Sequence, residues 1–300
     1  MLNGLQETNT IGYYAISGFG RAAELLRRNV EAADRESGMP STSVRSESRA
    51  WLALTLGALG AFAEGRRHGE EALRLATPEG RGATPIIAHG CLGRLYLAQG
   101  DLEHAIRVCD QGLTLCRTSG HQVWLRLITA DMGYAYALQG RLAEGRALLE
   151  EAISEMVHTG GRPGYAYQVA WLSEVCRLAG RGEEAWQHAH QALDLARQYK
   201  ARADEALALH QLGVVHAYAA PPDVAPAEAH YQQALALAEE LGMRPLQAHC
   251  HRGLGTLYAT AGQQEQARAA LTTAIAMYRA MDMTFWLPQA KAALAQVEGQ

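Results

Sequence analysis

The chain has 300 residues, 48% hydrophobic and 19% charged, with a formal net charge of −4. That composition suits a packed, folded protein and excludes a disordered one. Nearly all the positive charge is arginine, Lys200 and Lys291 being the two lysines, so no broad basic surface is expected and nucleic acid is a poor partner. No run of about 18 apolar residues is present, which argues against a membrane-spanning helix. The opening MLNGLQETNT lacks the basic region and apolar run of a signal peptide. Five cysteines, at 91, 109, 116, 176 and 250, form an odd set with no Cys-x-x-Cys pair. They read as reduced, buried small hydrophobes of a cytoplasmic protein.

The stretch Gly93 to Leu113 reads as two helices joined by a tight turn. Gly93, Tyr96, Ala105 and Gly112 stand at offsets 0, +3, +12 and +19. Small residues at 0 and +12 suit the closest crossing of two helices, an aromatic at +3 fills the space beside them, and a small +19 admits the next hairpin. The +19 marker recurs at Asn29, Ala72, Gly112, Ala152, Ala192, Ala234 and Ala274, in steps of 43, 40, 40, 40, 42 and 40. These offsets resemble those of tetratricopeptide repeats, whose common unit is about 34 residues. Six additional residues would lengthen the helices by about 9 Å. The expectation is an all-α, right-handed, tetratricopeptide-type superhelical solenoid of about seven helical hairpins plus a C-terminal capping helix, one array over residues 1–300.

In chain order, the first unit covers about 2–36, with Thr10, Tyr13, Ala22 and Leu26 as its weak match. Its opening helix carries Leu5, Ile11 and Tyr14 with no polar helix before it. An end repeat needs a polar outer face, so Met1 is expected near a cut in a longer protein, or this end is covered, and self-association through the bare first hairpin is anticipated. A loop at 37–46 precedes the second unit (47–77; Ala53, Leu56, Gly65, Ala72). The break TPEGRGATP (77–85) places Pro85 in the first turn of the next helix. Units follow over 86–118, 124–158 (Gly133, Tyr136, Gly145, Ala152), 164–200 (Ser173, Cys176, Ala185, Ala192) and 203–241 (Gly213, His216, Ala227, Ala234). In the last of these, APPDVAP enlarges the turn inside the hairpin. The seventh unit (245–281) carries Gly255, Tyr258, Ala267 and Ala274. Gly242 is expected in the left-handed conformation past a helix end, and Pro245 at the opening of the next helix. A capping helix is expected over 284–297, with Thr284 as N-cap and Leu287, Ala290, Leu294 and Val297 turned inward, so that this end is expected to be a genuine end of the array.

The segments 221–300 and 50–76 resemble the C-terminal tails of bacterial signalling proteins that carry a class III adenylate or guanylate cyclase domain, then an AAA-type or STAND-like ATPase domain, then a tetratricopeptide tail. The resemblance covers nearly the whole chain. It implies a regulatory, sensory role toward upstream domains, and it says nothing of catalytic residues, because the cyclase and ATPase domains would lie upstream. Similar tails occur in MalT-like transcription activators and in stand-alone adaptors, where a small-molecule effector is the alternative ligand.

Catalytic and cofactor motifs are absent. Neither lysine follows a glycine, so no P-loop exists, and Gly-x-Ser-x-Gly and His-Glu-x-x-His are missing. GLGTLY (253–258) lacks the third glycine of a dinucleotide loop and reads as repeat packing. His188 with His190, and His249 with Cys250 and His251, are spaced to point to different faces of a helix, so no metal and no cofactor is expected. The surface expected to bind a protein or peptide segment is the concave groove lined by the first helix of each unit. Its candidate residues are Arg94; Asp131 and Tyr134; Tyr167, Trp171, Glu174 and Arg177; His210 and Gln211; and His249 and Arg252. Tyrosine, tryptophan and arginine dominate binding hot spots, and mixed charge with aromatics suits an extended chain.

Overall fold

The structure is a computed structural model that describes residues 18–35, 42–76, 82–158 and 165–299. Among the described residues it contains fourteen α-helices and no strand. They are α1 (Phe19–Arg35), α2 (Thr42–Leu59), α3 (Phe62–Leu75), α4 (Thr84–Gln99), α5 (Leu102–Ser119), α6 (Gln122–Leu138) and α7 (Leu142–His158). Then come α8 (Ala166–Leu178), α9 (Gly182–Gln198), α10 (Arg202–Ala217), α11 (Val224–Leu241), α12 (Arg244–Thr260), α13 (Gln264–Ala280) and α14 (Leu287–Glu298). The chain forms two compact units, Met1–Glu155 and Met156–Gln300.

Both units are built the same way. Neighbouring helices pair as hairpins, and the first helix of each hairpin also packs on the first helix of the next: α2 on α4 and α4 on α6, then α8 on α10, α10 on α12 and α12 on α14. The turn between the two helices of a hairpin repeats with the sequence. Gly60, Gly100, Gly140, Gly180 and Gly262 all have φ between 74° and 87°, a left-handed conformation that only glycine adopts without strain. At Gly100 the turn is closed by Gly100 N–H to Leu97 O and Asp101 N–H to Tyr96 O, at 3.1 and 3.0 Å. The hairpin α10–α11 has no such glycine. Residues 218–223 form the enlarged turn that the prolines dictate, with Pro226 tolerated in the first turn of α11.

The small positions act as expected. At α6–α7 a Cβ on Gly133 would stand 2.8 Å from Gly145 O, and one on Gly145 2.5 Å from Gly133 O. These two helices touch backbone to backbone. A Cβ on Gly112 would meet Ile128 and His89 at 2.9 and 3.0 Å, so the +19 position is indeed small because the next hairpin enters there. In the second unit the ring of Tyr231 lies under both Gly213 and Gly253, 2.7 and 2.6 Å from their would-be Cβ atoms. Gly253 is therefore a packing residue. The cores follow: Leu26, Val30, Leu52 and Leu56 in one cluster, Ile86, Leu113, Ile128 and Met132 in another, and Tyr231, Leu254 and Leu257 in the second unit. All five cysteines are buried thiols.

Gly242 has φ 76° at the end of α11, and Pro85 and Pro245 open α4 and α12, as expected. Two expectations are corrected. The loop drawn through residue 46 ends earlier, because α2 begins at Thr42; Ser46 Oγ donates to Ala72 O at 2.8 Å, which satisfies this polar residue inside the helix. Thr284 does not cap α14. It lies in a turn at 284–286, and the helix starts at Leu287 with no side-chain cap. The cap helix is one-sided as expected, burying Ala290 and Val297. The first-unit residues Leu5, Thr10, Ile11, Tyr13 and Tyr14, and with them the expected self-association surface, lie outside the described residues.

Candidate ligand-binding faces

The candidate residues divide between the units. Arg94, Asp131 and Tyr134 belong to the first, on α4 and α6. The remaining eight belong to the second, on α8, α10 and α12.

In the first unit, Arg94 and Asp131 bind each other. Arg94 Nε donates to Asp131 Oδ1 at 2.7 Å, and Nη2 reaches the same oxygen at 2.5 Å. Asp131 is 2% exposed. Burial pushes its carboxyl above the usual carboxylate range, against the pull of the guanidinium. The pair links α4 to α6, and the thiols of Cys91 and Cys109 stand close enough to share their field. Tyr134 is buried. Charge on this face is thus met by charge from the neighbouring hairpin.

The pairing follows a rule of spacing. The contacts Arg27–Glu64, Thr84–Glu47, Arg94–Asp131, Gln211–Glu174 and Arg252–Gln289 all join residues 37 apart. A shift of one repeat brings the next helix alongside, and stepping back one turn aligns the side chains. Polar residues at this interval therefore staple successive hairpins. Oppositely charged residues 37 apart, Arg94 and Asp131 above all, are the sequence signal that would have revealed this.

In the second unit the staples are looser and the aromatics denser. Gln211 Nε2 donates to Glu174 Oε2 at 3.4 Å, at the long limit for a hydrogen bond. Tyr167 and Trp171 meet edge to face at 5.0 Å, and Tyr167 OH accepts from Gln168 at 3.1 Å. Arg177 stacks its guanidinium over Tyr218 at 4.5 Å. His249 Nδ1 lies 2.7 Å from Tyr278 OH, and its ring stands edge-on to Trp286 at 4.8 Å. Arg252 donates to Gln289 at 2.6 Å and lies over Trp286. The His210 ring sits 6.2 Å from that of His249. Burial, with Arg252 and Arg177 adding to it, lowers the His210 pKa to about 3, and burial likewise lowers that of His249. Both imidazoles are neutral at physiological pH.

Four buried polar atoms around this face have no hydrogen-bond partner among the described residues: Gln168 Oε1, Gln211 Oε1, Arg177 Nε and Trp286 Nε1. Two are acceptors and two are donors. Gln168, Tyr218, Tyr278, Trp286 and Gln289 escaped the sequence reading. Gln289 follows Arg252 by the stapling interval. Trp286 precedes the capping helix, where the repeat pattern no longer applies.

Other features carry less. A shallow cavity of about 520 Å³ in the first unit is bordered by Arg49, Arg67, His68 and Arg74, but Arg49 is held by Asp34 at 2.6 Å and Arg74 by Glu71 at 2.7 Å. Among the described residues no group of three or more His, Cys, Asp or Glu is arranged to hold a metal. Nor, among them, is any helix long and apolar enough to cross a membrane.

The tetratricopeptide repeat family matches residues 223–280, the α11–α13 region. No curated protein sequence matches the chain. Among solved structures, the chain is similar to a Rap protein complexed with competence and sporulation factor. The TM-score is 0.69 at 14% identity, over 97% of this chain and 85% of that one. It is similar to the Rap conjugation gene regulator of the plasmid pLS20 in complex with the Phr* peptide, with TM-score 0.69 and 17% identity, over 93% of this chain and 73% of that one. A STAND signal-transduction ATPase with a tetratricopeptide repeat sensor, from Pyrococcus horikoshii, gives TM-score 0.58 and 15% identity over 93% of this chain and 42% of that one. At these identities the likeness defines the fold: an all-α array of the tetratricopeptide-repeat type.

Proposed function

We propose that the chain is a non-catalytic, cytoplasmic interaction module that binds an extended peptide or protein segment along the first helices of its hairpins. The observation that carries this reading is the second-unit face. An extended peptide presents N–H donors and C=O acceptors in alternation, and on this face Gln211 has an unmet acceptor and Arg177 an unmet donor. Tyr167, Trp171 and Trp286 supply aromatic anchors beside them. Two of the similar solved structures hold, by their descriptions, a factor or a Phr* peptide, which supports the same mode here. Regulation is the natural use of such a module: the chain would be the sensory tail of a cyclase- or ATPase-bearing signalling protein, and the STAND protein with its repeat sensor is a parallel. Neighbour-only contacts let an array bend on binding and pass that change to attached domains.

Panning a random peptide library on the full chain tests the reading. Recovered peptides should compete with one another and lose affinity when Gln211 and Trp171 are replaced by alanine. Recovery of no peptide above background would refute it. A metabolite retained through purification and seen by mass spectrometry would instead favour the alternative, a small-molecule effector domain like that of MalT-type activators.

A further inference from the structure

We propose that the α8–α9 and α10–α11 hairpins meet at a proton-sensitive joint, in which His190, His216 and His230 loosen the contact of α9 with α10 as the solution is acidified. The joint would work in this way whatever the second face binds. The +3 aromatic of the repeat singles it out. In two other hairpins that residue is a tyrosine that donates to a glutamate on the preceding second helix: Tyr96 OH to Glu70 Oε1 at 3.2 Å, and Tyr258 OH to Glu228 Oε1 at 2.7 Å. In the α10–α11 hairpin the +3 residue is His216. Glu70 precedes Tyr96 by 26 residues, and the residue that precedes His216 by the same interval is His190 on α9. Both positions of the bond are thus held by imidazoles, and histidine is the side chain whose ordinary titration falls between pH 5 and 8.

A third imidazole joins them. His230 on α11 lies nearly parallel to His216, with ring centroids 5.3 Å apart and 10° between the planes, and charge on His216 acts on both His190 and His230. Trp186 covers His190 at 4.2 Å. All three histidines are half-buried, open enough for protons to enter and dry enough to make a second positive charge costly. In the enlarged turn, Asp223 Oδ2 stands 3.4 Å from His216 Nδ1, and Asp223 N–H donates to His216 O at 3.0 Å. From α9, Asp194 acts on His190 and Arg197 on His230. From α8 and α12, which also pack on α10, Arg177 and Arg252 act on His210, six residues before His216. Two carboxylates and one guanidinium match one proton among the three rings, and a second leaves positive charge in excess. Burial first, then the neighbouring His216, holds His190 and His230 below the ordinary histidine range. A group so lowered contributes its full stability above the unfolded value of about 6.5 and loses it as pH falls through the folded value. Acid therefore weakens the joint.

Amide hydrogen exchange of the full chain at pH 7 and pH 5, corrected for the intrinsic pH dependence of exchange and read by mass spectrometry, tests this. Protection of α9 and α10 should fall at pH 5 by about 3- to 30-fold relative to the segments around Tyr96 and Tyr258, since each excluded proton is worth at most about tenfold per pH unit. His190→Glu combined with His216→Tyr rebuilds the tyrosine–glutamate bond of the other hairpins, and it should remove most of that difference. If the double variant fails to fold, His190→Gln takes out one imidazole at a half-buried position and should lessen the difference. Both variants retain His210, so any response of that residue to acid is common to all the chains compared. Protection that does not fall at pH 5, or that falls equally around Tyr96 and Tyr258, would overturn the proposal. So would a fall as large in the folded variant as in the parent chain.

Discussion

The faces of the two units start from the same helical register and end in opposite states. In the first, position 94 supplies a guanidinium and position 131 a buried carboxylate, and they neutralise each other across α4 and α6. In the second, Glu174 and Gln211 occupy the same pair of positions one residue after and two before the small marker, and the bond between them is long and carries no opposite charge. One register therefore serves two ends. Filled by opposite charges it fastens hairpins together; filled by a charge and an amide it leaves hydrogen-bonding capacity on the face.

The largest expected effect tests the fastened side. Asp131→Ala leaves Arg94 partly buried without its counter-charge, and breaking such a pair costs about 3–5 kcal/mol. Urea denaturation should show the midpoint falling accordingly. Replacing both partners, Arg94→Met with Asp131→Leu, should recover most of the loss, since an apolar pair of similar volume is often neutral. A single Asp131→Ala variant as stable as the parent would show that the pair does not hold α4 to α6.

A smaller loss is expected from Gly145→Ala. Its Cβ would stand 2.5 Å from Gly133 O and 2.7 Å from Ala137 N, which are backbone atoms that cannot step aside, and overpacking of this kind costs about 1–3 kcal/mol. Gly182→Ala in α9, where a Cβ meets nothing within 4 Å, should instead stabilise by about 0.5–1 kcal/mol through helix propensity. Thermal unfolding of the two variants separates crossing glycines from incidental ones.

These glycines show what was legible in the sequence. Gly93, Gly133, Gly213 and Gly255 recur because backbone geometry repeats, and small residues at repeated crossings leave a one-dimensional trace. The prolines at 85 and 245 and the left-handed Gly242 were readable for the same reason: their constraint is local. Partnership was not. Arg94 and Arg252 look alike as letters, yet one meets Asp131 and the other Gln289, and that difference depends on which helix lies alongside. Thr284 shows the limit at an end of the array, where a turn displaces the helix start by three residues and a local cap signal misleads.

The second face should respond to acid. His210 has its pKa lowered to about 3, whereas in an unfolded chain it is about 6.5. Between those values the unfolded chain binds a proton that the native protein excludes, so stability is fully present above pH 6.5 and declines as pH falls toward 3, by at most about 1.4 kcal/mol per pH unit. The groups facing this imidazole are Arg177 from α8, Tyr231 from α11, and His249 and Arg252 from α12, and none offers the negative charge that would retain the proton. Denaturation midpoints at pH 7 and pH 5 should differ less in His210→Gln than in the parent chain. An equal difference in both would show that His210 is not the excluded site.

The smallest effect on stability should come from Gln211→Met, and it gives the sharpest contrast with Asp131. Gln211 is 6% exposed, its Oε1 has no donor, and its Nε2 makes only the 3.4 Å bond to Glu174. A buried amide so poorly satisfied contributes little to the fold. An unmet carbonyl oxygen costs desolvation energy that a methionine of similar volume does not. Stability should therefore change by less than about 1 kcal/mol, in either direction, while affinity for library peptides falls. If Gln211 instead behaved like Asp131, with a loss of several kcal/mol, the face would be another staple and its unmet groups would be incidental to packing. A residue that the fold can spare and the ligand cannot is what separates a binding face from a joint between hairpins.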